Sequence, residues 1–131
     1  MPAQATLMQF LAVGLGGFIG ACSRFLLQNA GIADEKHLST MLINITGSFI
    51  IGVAWTLLSS FEAGKWWTGF LITGVLGGYT TYSSFSLDFV QLTQHGRWAD
   101  AAVYAGVTTL GAIAACMLGV FVTSRILKFL Q

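Results

Sequence analysis

Four long apolar stretches, near residues 7–27, 41–61, 67–92 and 99–129, take up most of this 131-residue chain. A helix needs roughly 20 apolar residues to cross the hydrocarbon of a bilayer. Each stretch is therefore long enough to cross once. Only 8% of the residues are charged and 55% are hydrophobic, whereas a soluble domain carries about a quarter charged residues. The chain reads as an all-α membrane protein, a single four-helix transmembrane domain over residues 1–131. The connectors, residues 31–40, 62–66 and 93–98, leave no room for a soluble or nucleotide-binding module. The first stretch lacks a basic leader and holds Arg24 beyond its apolar centre, so it reads as a retained helix rather than a cleaved signal.

The third stretch is interrupted. Residues 73–86 run Thr-Gly-Val-Leu-Gly-Gly-Tyr-Thr-Thr-Tyr-Ser-Ser-Phe-Ser, a poor continuous helix in hydrocarbon. Irregular backbone at membrane depth is tolerated only where protein buries it or a wet cavity adjoins it. A broken crossing therefore points to a binding or permeation site. The pair Gly77-Gly78 is expected to interrupt the ladder, because glycine adopts conformations other residues avoid. An interruption frees carbonyls at the end of the first half and N–H groups at the start of the second. Free carbonyls can hold a hard cation such as Na⁺, and the Thr80 and Thr81 hydroxyls can cap the second half. The bland alternative is a glycine hinge whose hydroxyls bond back to carbonyls four residues earlier. Six hydroxyl residues from Thr80 to Ser86 exceed what that requires.

Other polar and small residues fall on helical faces. Gly16, Gly20 and Arg24 are spaced by four. The glycines read as a close-packing face of the small-xxx-small type. Arg24 either snorkels to the interface or lines a vestibule that attracts anions. Asn44, Ser48 and Gly52 share a face of the second helix. An intramembrane Asn bonds a neighbouring helix or offers its NH2 to a passing anion; beside a broken helix the second reading is preferred. Tyr82 and Phe85 share a face, with Phe89 a turn on. Such a stripe is commonly packing, yet ring edges are positive and can meet a small anion without trapping it. Ser84 and Asp88 lie on the Thr80 face, the acid approaching the interface or bonding a neighbouring helix. Tyr104 and Thr108, with Thr109 beside them, can extend a hydroxyl track.

The formal net charge of +1 favours neither nucleic acid nor an anionic surface. Alternating sides put Lys65, Arg125 and Lys128 opposite Arg24, Lys36 and Arg97. Lys and Arg excess sets orientation, and here the sides tie. Either fine detail decides the orientation, or copies insert both ways and pair antiparallel. Length favours the second, since transport sites commonly sit between two inverted halves and four helices make one. Cys22 and Cys116 read as buried structural thiols, and His37 and His95 lie in connectors without metal-ligand spacing.

Gly16-Gly17, Gly20-Ala21 and Arg24, then Asn44, Gly47-Ser48-Phe49 and Gly52, then residues 77–86 resemble the CrcB/Fluc fluoride channels, in order and over nearly the whole chain. The resemblance implies passive fluoride export across the bacterial cytoplasmic (inner) membrane. It further implies an antiparallel, dual-topology homodimer with two fluoride pathways and a structural Na⁺ at its centre. That Na⁺ is held by the backbone carbonyls of Gly77 and Thr80 from both subunits. Asn44 and Phe85 match pore-lining positions, Arg24 the vestibule arginine, Tyr104 the aromatic ending a polar track, and Thr108 a track serine. Tyr82 replaces the usual first phenylalanine, and Ala112 a second track serine. A small multidrug/proton antiporter is the alternative from another class. It needs a titratable carboxylate within a membrane helix, and the first span has none. An enzyme is not expected, since no nucleophile–base–orienter set is visible.

Overall fold

A computed structural model describes residues 6–131. Among these residues the chain is all helical: α1 (Leu7–Asn29), α2 (Lys36–Ser60), α3 (Lys65–Thr68), a π-helical segment (Gly69–Leu76), α4 (Gly77–Tyr79), α5 (Tyr82–Gln94) and α6 (Trp98–Leu130). Three of them, α1, α2 and α6, are long and apolar enough to cross a membrane. The expected third crossing is a broken series of shorter elements from α3 to α5.

Local chemistry accounts for the helix ends. Thr6 and Gln9 form a reciprocal capping box that starts α1, satisfying two otherwise orphaned N–H groups. At the end of α5, Gly96 adopts φ 73°. The Arg97 N–H reaches the Leu92 carbonyl at 2.9 Å and the Gly96 N–H reaches that of Thr93 at 3.0 Å, a Schellman ending. This turn aims Arg97 at the connector before α2. Its Nη1 and Nη2 donate to the two Glu35 carboxylate oxygens at 2.6 and 3.2 Å, and its Nε to Asp100 Oδ2 at 2.7 Å.

That clip has a pH signature. The hydrogen bond from Arg97 is the main cause holding the Glu35 carboxyl below its ordinary 4.5; burial opposes it, and the Arg97 and His37 charges add to it. A depressed folded-state value means the stabilisation is present above the ordinary value and is lost as pH falls through the folded one. Melting of the detergent-solubilised protein from about pH 7 to about pH 3 is expected to show an acid-side loss that Glu35→Gln flattens. An unaltered acid slope in that variant would remove the clip from the account.

Packing relies on missing side chains. The Cβ that Gly16 or Gly20 lacks would run into backbone of the broken segment, and those of Gly74 and Gly78 into backbone of α1. The two segments lie backbone to backbone, as the small-residue face predicts. Gly52 of α2 and Gly119 of α6 make the same arrangement between those helices. The most extensive helix pairs are accordingly α2 with α6 and α1 with the π-helical segment. Leu92, Ala101 and Tyr104 form a small buried cluster with Met41, Phe85 and Phe89 against it. Large apolar side chains such as Phe10, Leu15, Phe18, Phe25, Leu110 and Phe121 face outward, as a lipid-facing surface requires. Cys22 corrects the buried-thiol expectation: it is exposed, and Cys116 is half-buried. Two residues beyond Gly20, Cys22 is rotated about 200° round α1, away from the packed face.

Candidate functional site: a cleft at the break

The break is real but lies two residues later than the glycines indicate. Gly77 is helical, at φ −63° and ψ −36°, and α4 continues through Tyr79. The chain becomes extended at Thr80 (φ −82°, ψ 156°) and Thr81 (φ −151°, ψ 121°). The expectation that Gly77-Gly78 itself interrupts the ladder is therefore corrected. The constraint on Gly78 is space, since a Cβ there would lie 2.7 Å from the Gly17 carbonyl oxygen of α1.

Side chains from other turns replace the lost helical bonds. An unbroken helix would give the Thr81 N–H to the Gly77 carbonyl; here it goes to Asn44 Oδ1 at 2.8 Å. Asn44 Nδ2 returns a bond to the Thr81 carbonyl at 3.0 Å. The Ser84 N–H, whose helical partner would be the Thr80 carbonyl, goes to Thr81 Oγ1 at 3.1 Å. Thr81 is thus the cap of α5. Thr80 instead bonds back, its Oγ1 donating to the Leu76 carbonyl at 2.9 Å. Each of the two hydroxyl readings holds at one of the two threonines. Gly47 supplies the room, because a Cβ there would meet the Thr80 methyl and would lie 2.9 Å from Tyr79 Cδ1.

A cleft of about 360 Å³ opens at the break between α2, α5 and α6, bounded by Asn44, Ser48, Thr80, Thr81, Tyr82, Phe85, Thr108, Thr109, Ala112 and Ile113. The structure therefore brings together Asn44, Thr80, Tyr82, Phe85 and Thr108 from the predicted set. Ser84 does not line the cleft; its backbone takes part in the cap. Arg24 lies elsewhere, its Nε donating to the Gly78 carbonyl at 3.2 Å. Tyr104 is buried behind the cleft, and its hydroxyl donates to Asp88 Oδ2 at 3.2 Å. Asp88 thus bonds a neighbouring helix. The Tyr104 ring lies 5.2 Å from Phe85 and 5.3 Å edge-on from His37. It separates the cleft at the break from a second one of about 330 Å³ that Glu35, His37 and Arg97 help to line. Ser48 and Thr109 belong to the cleft wall and were on the right faces in the sequence: Ser48 is one turn from Asn44, Thr109 next to Thr108. The position of His37 behind Tyr104 had no sequence signal, because it depends on how the connector folds.

The chemistry of the cleft is that of weak donors. Thr108 Oγ1 is buried and finds no hydrogen-bond partner among the described residues. Asn44 Nδ2 has a second hydrogen beyond the one given to Thr81. The Tyr82 and Phe85 rings stand 5.4 Å apart, and among the described residues no charged side chain lines the space. Such a wall can replace part of an anion's hydration without holding it by full charge.

Comparison with known proteins places the chain. The family model described as CrcB-like protein, Camphor Resistance (CrcB), matches residues 11–120. The chain belongs to the CrcB family. Among its relatives, the protein named fluoride-specific ion channel FluC of Ruminiclostridium cellulolyticum is 40% identical over 126 residues, covering 93% of this chain and 94% of the relative. Proteins of the same name from Cereibacter sphaeroides (40% over 113 residues, 83% and 89% covered) and Rhizobium meliloti (41% over 117 residues, 85% and 89% covered) are similar. The CrcB match takes in most of α1, all of α2, the break and most of α6, and so includes every residue lining the cleft.

Proposed function

We propose that this CrcB-family protein is a fluoride-selective channel, a transporter rather than an enzyme, which exports fluoride passively across the bacterial inner membrane as a multi-pass protein. The observation that carries this reading is the cleft at the break, where the unpartnered Thr108 hydroxyl and the fixed Asn44 amide face the Tyr82 and Phe85 rings. Fluoride exchanges water for these donors and ring edges. Ser48 and Thr109 add hydroxyls to a wall that has an alanine at position 112.

The working unit is an antiparallel homodimer of four-crossing subunits. Gly77 is exposed and Tyr82 is 80% exposed in a single chain, yet both flank the break. Irregular backbone of this kind does not face lipid, so a second copy covers it. The Gly77 and Thr80 carbonyls, released from helical donors by Asn44 and Thr81, are hard oxygen ligands. No His, Cys, Asp and Glu cluster competes as a metal site among the described residues. These carbonyls fit Na⁺, with each copy contributing one Gly77 and one Thr80. A bound Na⁺ would supply a positive charge between the two broken segments. The proton-antiporter alternative lacks its carboxylate here: Asp88 accepts from Tyr104 and does not line the cleft at the break.

Liposomes loaded with fluoride and monitored with a fluoride electrode test the reading. Release is expected without a proton gradient, and proton-coupled dye uptake with no fluoride release would sink it. In the same assay Tyr82→Phe is expected to speed efflux by about fivefold, the factor equivalent to one net hydrogen bond of ~1 kcal/mol. Equal rates would remove the Tyr82 hydroxyl from the pathway.

A further inference from the structure

Arg24 stands one turn beyond Gly20 on the α1 face that meets the broken segment. The Gly20 position lies against the Tyr79 amide, where an added Cβ would approach to 2.8 Å. Arg24 is therefore level with the break itself. It is half-buried, and the atom that reaches the break is Nε, 3.2 Å from the Gly78 carbonyl oxygen. In an unbroken helix that carbonyl would receive the Tyr82 N–H, but Tyr82 has moved past the extended pair and begins α5. Asn44 of α2 meanwhile holds Thr81 on the far side of the break. The last turn before the break and the second residue of the extended pair are thus gripped by two different helices.

We infer that Arg24 is a positioning residue for the break, acting through its Nε–H on the Gly78 carbonyl. The bond fixes the last helical turn before the break, and with it the adjacent Gly77 carbonyl. Nε is the fourth atom of the arginine side chain counting from Cβ, and the amide nitrogen of glutamine occupies the same fourth place. Glutamine therefore keeps a donor at this distance while removing the charge. Lysine keeps the charge but carries its nitrogen one atom further out. Methionine approximates the stem and has neither.

The test compares Arg24→Gln, Arg24→Lys and Arg24→Met in about 0.5 M salt, where long-range charge effects are screened within a few ångströms. Melting of the purified protein in detergent is read first. Arg24→Gln is expected within about 2 °C of the parent, with Arg24→Met and Arg24→Lys lower by about 5 °C, the scale of one lost hydrogen bond in a domain of this size. Fluoride efflux from liposomes at the same salt should then be about tenfold faster for Arg24→Gln than for Arg24→Met. Lysine matching the parent while glutamine falls with methionine would overturn the assignment, as would methionine matching the parent. If Arg24→Met cannot be purified, the order of glutamine and lysine decides alone. The efflux arm rests on the fluoride-channel reading and the melting arm does not. A parent protein that releases no fluoride but keeps the melting order would sink that reading and leave Arg24 in this role.

Discussion

Replacing Asn44 by alanine is expected to abolish fluoride efflux and to destabilise the protein by about 2–6 kcal/mol, because one side chain satisfies both backbone groups of Thr81. Asn44 is 8% exposed, so water does not readily replace it. Each buried group left without a partner costs about 1–3 kcal/mol. Asn44 is thus more than a donor to a passing anion. It takes the Thr81 N–H that would otherwise close the helix onto Gly77, so removing it favours closing the break. Ser48→Ala, one turn along α2 in the same cleft, removes a wall hydroxyl that holds no part of the break and should leave the melting temperature unchanged. Melting curves and efflux of the two variants provide the check. Equal stability of Asn44→Ala and the parent would show that the break is held by something else.

Gly20→Ala should also be damaging, through sterics alone. The new Cβ would stand 2.8 Å from both the Tyr79 nitrogen and the Val75 carbonyl carbon, and would press on the Val75 carbonyl oxygen. Every one of these neighbours is backbone, so no side chain can rotate aside. Overpacking of this kind costs about 1–3 kcal/mol and occasionally more, here by forcing α1 off the broken segment. Gly14→Ala is the matched control. Nothing lies within 4 Å of its added Cβ, and alanine improves helix propensity by up to about 1 kcal/mol. Size-exclusion profiles and melting in detergent should move in opposite directions for the two changes. Parallel behaviour would mean that α1 does not pack by this face.

Both predictions concern the same arrangement. α1 and the broken segment approach closely because Gly16, Gly20, Gly74 and Gly78 remove side chains from the contact. That approach brings Arg24 to the Gly78 carbonyl, while α2 brings Asn44 to Thr81. The break is a structure held from two sides rather than a flexible joint. The bonds that hold it also take away the helical donors of the Gly77 and Thr80 carbonyls, beside a cleft in which the Thr108 hydroxyl is unpaired.

Apolar length, sparse charge, glycines at four-residue spacing and the hydroxyl run were enough, by themselves, to determine a helical membrane protein with an interruption in its third apolar stretch. They also placed Asn44, Tyr82, Phe85 and Thr108 on faces that meet in one cleft, because helical periodicity is a property of the local chain. The tertiary structure decided where the interruption falls. Gly77 and Gly78 stay helical, Gly78 packed against the backbone of α1, and the chain opens at Thr80 and Thr81 because Asn44, from a helix more than thirty residues earlier, outcompetes the local ladder. Only folding could show the π-helical winding of Gly69–Leu76, the withdrawal of Tyr104 to Asp88, and Arg24 turned onto a carbonyl. Each of these depends on which group from a distant segment arrives first at an unsatisfied backbone atom, and spacing along one segment carries no record of that contest.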